Sequence, residues 1–363
     1  GKYTTGGIKS VIMNYYNKID RNLIQFDLLV DSDSPLKDYS DIENLGGKVY
    51  EVTPVTNPIK NILECVKIFK ENDYYCIHGY INTLNVFPML AGKIAGVPVR
   101  ISENLSTAHP SEKKTFFKNI LKIMSTLFPT HIAANSKYAA NWIYGEKNLH
   151  KCKIIRNALD LEKYKYDEEL RSSKRSELGV TDNFVIGHIG RYEYQKNHEF
   201  LIDIFYEAYK KDNSCRLLLV GYGELKDKTF SKIAELGLRD YVIDAGATEN
   251  ILSLYNSMDC FALPSFYEGL PVVGIEAQAT GLPCIISTEV TTETDITGLV
   301  KFFDLKKTSE YWASEILKYK NEKRENTYEK VTKNGYNIKN EVVELQNYYL
   351  DICKCNTKKM RKK

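Results

Sequence analysis

The residues best suited to chemistry concentrate in two strings of the second half. The first is Ser265-Phe-Tyr-Glu268-Gly269-Leu270-Pro271, running on through Glu276 to Gly281-Leu282-Pro283. An apolar run, Cys260 to Leu263, precedes it, and Pro271 suits the first position of a helix. A strand, a glycine-bearing loop and a helix start would aim free backbone N–H groups and a positive helix end at one spot. Such a spot attracts an anion. Glu268 falls in the loop and Glu276 inside the helix. Eight helical residues rise by about 12 Å, so the two carboxylates are not expected to form the pair about 5–5.5 Å apart of a retaining glycosidase. They are expected to grip different parts of one extended ligand. A helix cap and a surface glutamate would account for one of them, but not for the whole string.

The second string is Gly190-Arg191-Tyr-Glu-Tyr-Gln-Lys196-Asn197, between the apolar run Phe184 to His188 and a helical stretch. That is the carboxyl end of a strand, where open α/β sheets bind ligands. Arg191 offers a planar fork for bidentate phosphate contact, and Lys196 a compact mobile charge. Together they could hold a diphosphate and stabilise it as a leaving group. An Arg and a Lys in a surface loop are, taken alone, usually just solvated.

These strings need elements to position them, and the chain supplies a regular alternation. The first half predicts strands at Phe26 to Val30, Lys48 to Val52, Tyr74 to His78, Val99 to Ser102 and His131 to Asn135. Helical stretches lie between, such as Ile8 to Ile19, Ile59 to Glu71 and Leu84 to Ala95. The second half restarts the pattern at Phe184 to His188, Arg216 to Val220, Tyr241 to Ala245, Cys260 to Leu263 and Cys284 to Ser287. Short apolar runs alternating with amphipathic helices predict parallel sheets with crossover helices. The polar stretch between the halves reads as a linker, 161–181. The chain thus reads as two Rossmann-like α/β domains, 1–160 and 182–338, with a cleft between them as the natural ligand site. A terminal helix and basic tail follow at 339–363, expected to cross back to the first domain. Gly6-Gly7 before an amphipathic helix looks like the loop after a first strand. Only five residues precede it, so that strand is expected to be missing; a flexible leader is the other reading.

Together the two strings resemble the family 4 glycosyltransferases of the two-domain GT-B fold, the capsular and exopolysaccharide type. Such enzymes carry a glutamate, seven residues and a second glutamate, as at Glu268 and Glu276, and a Gly-Arg loop with a lysine beyond, as at Gly190-Arg191 and Lys196. The resemblance extends more loosely from Gly6-Gly7 to about Tyr349. It implies a hexosyltransferase that moves a sugar from a nucleotide-diphosphate donor, UDP-linked, to a glycan or lipid-linked glycan with retention at the anomeric carbon. It also implies that Arg191 and Lys196 bind the donor diphosphate, Glu268 a sugar hydroxyl and Glu276 the ribose. The N–H groups of Gly269 and Leu270 would face phosphate and sugar, and Gly6 and Gly7 would let the backbone approach the donor. Gly221-Tyr222-Gly223-Glu224 resembles a recurring turn of the family, although a GxG alone is weak evidence. Alternatives on the same fold are a nucleotide-sugar 2-epimerase and a catalytically inactive partner subunit.

One departure concerns the acceptor side. Related enzymes carry a histidine-rich segment after the strand at Val99 to Ser102, and here that stretch reads Arg100-Ile-Ser-Glu103-Asn104. Glu103 stands about where the histidine is expected, with Asn104 beside it and His78 and His109 as candidate substitutes. A lone histidine is more often structural.

Two further stretches carry two readings each. Asp31-Ser-Asp33 could hold a divalent cation on a diphosphate, as in the GT-A glycosyltransferases. Asp and Ser are also turn residues with Pro35 following, and the duplicated pattern favours a loop. No metal and no cofactor are therefore expected, the nucleotide-sugar being a substrate. Ser111 to Phe128 alternates lysines with Phe116, Phe117, Ile120, Leu121 and Met124. It is either a domain helix with one face in the core or a basic-apolar surface for anionic lipid.

Composition bounds the rest. With 363 residues, 43% hydrophobic and 27% charged, the chain is an ordinary globular one of about two domains. A net charge of +3 is too balanced for nucleic-acid binding driven by bulk charge. No apolar run of membrane-spanning length occurs. The eight cysteines are scattered without CxxC or zinc spacing, which suggests a reducing setting. The expected location is the cytoplasm, at the inner face of the membrane if the basic helix touches lipid.

Overall fold

The computed structural model describes residues 1–4, 7–107, 115–248 and 250–360, with backbone alone at 115–116 and 355–360. The chain forms two compact units, Gly1–Leu159 with Gly335–Lys363, and Asp160–Asn334.

The first unit runs α1 (Gly7–Tyr16), β1 (Leu28–Asp31), α2 (Ser40–Glu43), β2 (Val49–Val52), α3 (Pro58–Glu71), β3 (Cys76–Gly79), α4 (Val86–Ala95), β4 (Val99–Asn104), α5 (Thr115–Met124), β5 (His131–Ala134), α6 (Lys137–Tyr144) and β6 (Cys152–Ile154). Its strands are parallel and form two sheets, β1-β2 and β3-β4-β5-β6.

The second unit runs α7 (Glu168–Glu177), β7 (Phe184–Ile189), α8 (His198–Lys211), β8 (Cys215–Val220), α9 (Lys226–Glu235), β9 (Val242–Asp244), α10 (Ile251–Ser257), β10 (Cys260–Leu263), α11 (Val272–Ala279), β11 (Cys284–Ser287), β12 (Val300–Phe303), α12 (Ser309–Leu317) and α13 (Tyr328–Lys333). Helix α14 (Ile338–Met360) then returns to the first unit, where it packs against α1 and β4.

The second unit's six strands are parallel in the order β12-β11-β10-β7-β8-β9. All six residues of β7 are buried, as a strand covered on both faces requires. Successive residues feed opposite cores. Leu217 and Leu219 join Phe205 and Trp312 on one face, while Leu218 joins Met258 and Phe261 on the other. Helix α8 lays a stripe of Leu201, Ile202, Ile204, Phe205 and Ala208 into the first of these, at helical spacing. The winding reverses at β7. From there β8 and β9 are added on one side, and β10, β11 and β12 on the other. Connecting chains therefore leave β7 and β10 in opposite directions, and their carboxyl ends stay uncovered.

The stretch 161–181 is not a linker. It holds α7, capped by Asp167, whose side chain accepts from the Leu170 amide at 2.9 Å. Arg171 and Arg175 on this helix pair with Asp259 at 2.5 and 3.0 Å, and Asp259 also accepts from the Val185 amide at 2.7 Å. The sequence pattern could not signal this, because α7 docks through buried guanidinium groups rather than an apolar stripe.

Removing one partner of such a cluster strands the others in the interior, at about 3 kcal/mol or more. Asp259→Ala is thus expected to lower the urea midpoint of the second unit clearly. An unchanged midpoint would return 161–181 to the status of a linker.

Candidate active site

The two sequence strings meet at the reversal point. The loop after β7 carries Gly190, Arg191 and Lys196, and the loop after β10 carries Ser265 to Pro271. They are joined by an ion pair, Lys196 Nζ to Glu268 Oε1 at 2.5 Å, with side chains only 14% and 9% exposed. Gln195 locks the arrangement. Its Nε2 donates to Glu268 Oε2 and to the Tyr267 carbonyl, each at 2.9 Å, and its own carbonyl accepts from the Phe266 amide at 2.8 Å. Ser265 Oγ adds a hydrogen bond to Glu268 at 3.1 Å. Arg191 differs. It is exposed and pairs only with nearby Glu193, at 2.7 Å, among the described residues.

The Gly221-Tyr-Gly223 turn makes room for these loops. Both glycines have φ near +150°, and a Cβ on Gly221 would lie 2.0 Å from the Gly190 carbonyl oxygen. One on Gly223 would lie 2.6 Å from that of Tyr192. Only glycine lets the loops after β7 and β8 touch backbone to backbone. Gly190 is constrained too, since its Cβ would come within 3.0 Å of His188 Nε2.

Helix α11 begins at Val272, with Pro271 as its cap rather than its first residue. The amides of Gly269 and Leu270 have no hydrogen-bond partner among the described residues. They stand at the positive end of α11, where an anion would be favoured. Glu276, inside α11, is buried and accepts from Tyr164 and Tyr255 hydroxyls, each at 2.9 Å. Burial raises its pKa and the two tyrosine hydrogen bonds oppose that shift. Glu268 and Glu276 thus have separate sets of partners.

Beneath the Gly190 loop lies a group that sequence reasoning missed. His188 Nδ1–H donates to the Ala262 carbonyl at 2.8 Å, which leaves Nε2 without a partner. Tyr192 Oη and His198 Nδ1 are also buried without partners, and the Tyr192 and His198 rings stack at 4.4 Å. Burial, then the Lys196 charge, pushes His198 down to about 4. Burial, then His198, drives His188 well below its ordinary value. Both rings are neutral at pH 7, so the cation above them faces no competing charge. His198 follows Lys196-Asn197 directly, yet a histidine at a helix start gave no signal of its own. Gln195 stood within the string, and Tyr164 within the expected linker.

The candidate acceptor-side residues His78, Glu103 and Asn104 belong to the first unit. Glu103 and Asn104 are fully buried at the end of β4, so neither lines an open surface. Glu103 Oε2 lies 2.9 Å from His78 Nε2, while His78 Nδ1 meets Tyr349 Oη at 2.7 Å and Tyr80 Oη at 3.1 Å. Asn104 Nδ2 donates to the Ser106 and Ala139 carbonyls. The His78 bond to Tyr349 joins β3 to α14. Gly6 and His109 lie outside the described residues; Gly7 is the first residue of α1.

Asp31 ends β1, and Asp33 pairs with Lys2 at 3.0 Å in the turn that follows. Helix α5 does not bury its apolar side. Phe117, Ile120 and Ile123 are exposed, Ile123 by 78%, with Leu127 exposed just beyond. No helix among the described residues is long and apolar enough to cross a membrane.

Residues 171–338 match the family described as Glycosyl transferases group 1. The chain is 30% identical over 361 residues to the putative glycosyltransferase EpsF of Bacillus subtilis, covering 95% of this chain and 93% of that one. It is 24% identical over 373 residues to the UDP-Gal:alpha-D-GlcNAc-diphosphoundecaprenol alpha-1,3-galactosyltransferase of Escherichia coli, covering 95% and 94%. The fold resembles Anabaena HepE crystallised with UDP and glucose, with a TM-score of 0.71 at 20% identity over 100% of this chain and 97% of that one.

The neutral histidines generate a pH prediction. Histidine titrates near 6.5 when unfolded, so a group held neutral to about pH 4 contributes stability above 6.5. That stability is lost as pH falls toward and through 4. For His198 the loss is about 3 kcal/mol at most. His198→Phe, which keeps a ring on Tyr192, is expected to flatten the fall of melting temperature between pH 6.5 and 4. An acid limb as steep as in the unaltered chain would contradict the assignment.

Proposed function

Because the chain belongs to the glycosyl transferases group 1, the family 4 type of GT-B enzyme, we propose that it transfers a hexose from a UDP-linked donor to a growing lipid-linked glycan. The observation that carries this reading is the Lys196–Glu268 contact at the reversal point. A nucleotide-sugar places a charged diphosphate directly beside a neutral polyol, joined through C1–O–P. A cation and a carboxylate in contact suit the two sides of that bond.

Lys196 stabilises the charge that gathers on the leaving diphosphate. Arg191, exposed and able to leave Glu193, adds a second positive group. The free amides of Gly269 and Leu270 and the start of α11 favour the same anion. Glu268, held by Gln195, accepts from a sugar hydroxyl, and Glu276 accepts from the ribose. In the transfer the C1–O bond to the diphosphate breaks, with its electron pair going to the departing oxygen. The acceptor oxygen bonds to C1, and its proton is lost to the departing diphosphate. Retention at C1 is proposed on the family resemblance.

The UDP assignment is supported by the name of the Escherichia coli relative and by the ligands of the Anabaena structure. The same relative acts on a diphosphoundecaprenol-linked sugar, which supports a lipid-linked acceptor in a polysaccharide pathway. Exposed Phe117, Ile120 and Ile123 on α5, with Lys118 and Lys122 on the same helix, suit contact with anionic lipid at the cytoplasmic face.

Arg191→Ala and Lys196→Ala are each expected to lower transfer tenfold or more, since charge-assisted contacts contribute about 1.5–3 kcal/mol. Unchanged rates in both folded variants would remove the diphosphate assignment.

Metal dependence is a separate test. With Arg191, Lys196 and the helix end as counter-charge, transfer should survive excess EDTA and the exchange Asp33→Asn. Activity abolished by the chelator and restored by manganese would instead favour a carboxylate-bound cation at Asp31 and Asp33.

A further inference from the structure

The carboxylate of Glu276 is buried, and among the described residues no cation pairs with it. Its two oxygens are divided between two hydroxyls instead. Tyr164 Oη donates to Oε1 and Tyr255 Oη to Oε2, each at 2.9 Å. Tyr164 comes from the stretch ahead of α7 and Tyr255 from α10, and both rings pack into the same core. Tyr255 Oη also lies 3.2 Å from the Val273 carbonyl, so its one proton is shared. Burial, then the Glu276 charge, raises both tyrosines above their ordinary value. Each hydroxyl therefore keeps its proton and stays a donor.

This arrangement leaves the carboxylate a definite remaining capacity. An ionised carboxyl group accepts at about four lone-pair sites and donates at none. With one tyrosine on each oxygen, one acceptor site per oxygen stays open. Two such sites side by side match two hydroxyls on adjacent carbons, the vicinal diol of a ribose. Placement agrees with that match. Glu276 lies one turn into α11, and helical side chains lean toward the helix N-terminus. The carboxylate thus points toward the end of α11 where the amides of Gly269 and Leu270 stand.

We propose that Tyr164 and Tyr255 are positioning residues for nucleotide recognition: each takes one site on a Glu276 oxygen, and together they fix the carboxylate's rotation so that it accepts from the 2′- and 3′-hydroxyls at once. This role rests on Glu276 being the ribose acceptor, and adds to it the pair that makes the acceptor select a diol. A site built to pair with ligand hydroxyls rejects an analogue that lacks them, because its buried acceptors are left unpaired. The tyrosines therefore set the preference for a ribonucleotide. They do not set the hold on the diphosphate, which falls to Lys196 and Arg191.

Calorimetric titration with UDP and with 2′,3′-dideoxy-UDP tests this, since the two ligands differ only in those hydroxyls. The unaltered chain is expected to prefer UDP by roughly tenfold or more. Tyr164→Phe keeps the ring in the core. It is expected to weaken UDP about fivefold, the weight of one hydrogen bond, and to leave the dideoxy nucleotide within about twofold. Tyr255→Phe repeats the test through the other oxygen, with a smaller loss because its proton is shared. Glu276→Ala should abolish the preference, and adding Tyr164→Phe to it should change neither affinity. Equal losses for both ligands in the two tyrosine variants would mean packing alone and would overturn the proposal. So would unchanged UDP binding in both. A preference lost in Glu276→Ala but kept in both tyrosine variants would leave the ribose reading standing and remove the tyrosines' role. Equal binding of the two nucleotides by the unaltered chain would remove the ribose reading itself, and this role with it.

Discussion

The candidate site depends on a cation and a carboxylate held against each other where water scarcely reaches. Lys196 and Glu268 belong to loops 72 residues apart, and each is the other's counter-charge. A mostly buried ion of either sign would be costly alone. The pair therefore fixes the spacing of the two loops, and Gln195 and Ser265 fix the carboxylate's orientation. The candidate site's other groups include the amides of Gly269 and Leu270 before α11 and the exposed Arg191.

The site's remaining polarity is buried and neutral, or buried and hydrogen-bonded. His188 and His198 sit under Lys196 without charge, because burial has removed their protons. Glu276 is held by two tyrosine hydroxyls, one from Tyr164 in the stretch before α7 and one from Tyr255 in α10. Polar networks of this kind specify one geometry when fully partnered. The unpartnered atoms, His188 Nε2, Tyr192 Oη and His198 Nδ1, mark where the network stays open. They cluster below the loop that carries Arg191 and Lys196.

The first unit shows the opposite use of charge. Glu103 and His78 face each other in the interior and reach α14 through Tyr349. A carboxylate that the sequence suggested as an acceptor-facing group is enclosed beside His78, whose bond to Tyr349 ties a terminal helix to the sheet. Among the described residues the same unit's strands form two sheets, β1-β2 and β3-β4-β5-β6.

The sequence by itself determined most of the segments that become strands, though not β6 or β12, and which loops carry the candidate residues. Phe184 to Ile189 and Cys260 to Leu263 are short aliphatic runs, and their burial follows from composition alone. The loops after them carry Arg191, Lys196 and Glu268 because motif residues and strand ends are local properties, legible within a dozen positions. Two parallel α/β units were legible for the same reason. The tertiary structure alone decided which strands neighbour one another, and so which loops touch. That reversal at β7 brought Lys196 onto Glu268. It decided that 161–181 would dock as α7 through Arg171, Arg175 and Asp259, a contact between charges with no periodic apolar trace. It also decided that Glu103 would turn inward to His78 and that α5 would turn its phenylalanine and isoleucines outward. A local pattern fixes a residue's element and face. What that face meets is set by segments a hundred residues away, whose distance the pattern does not encode.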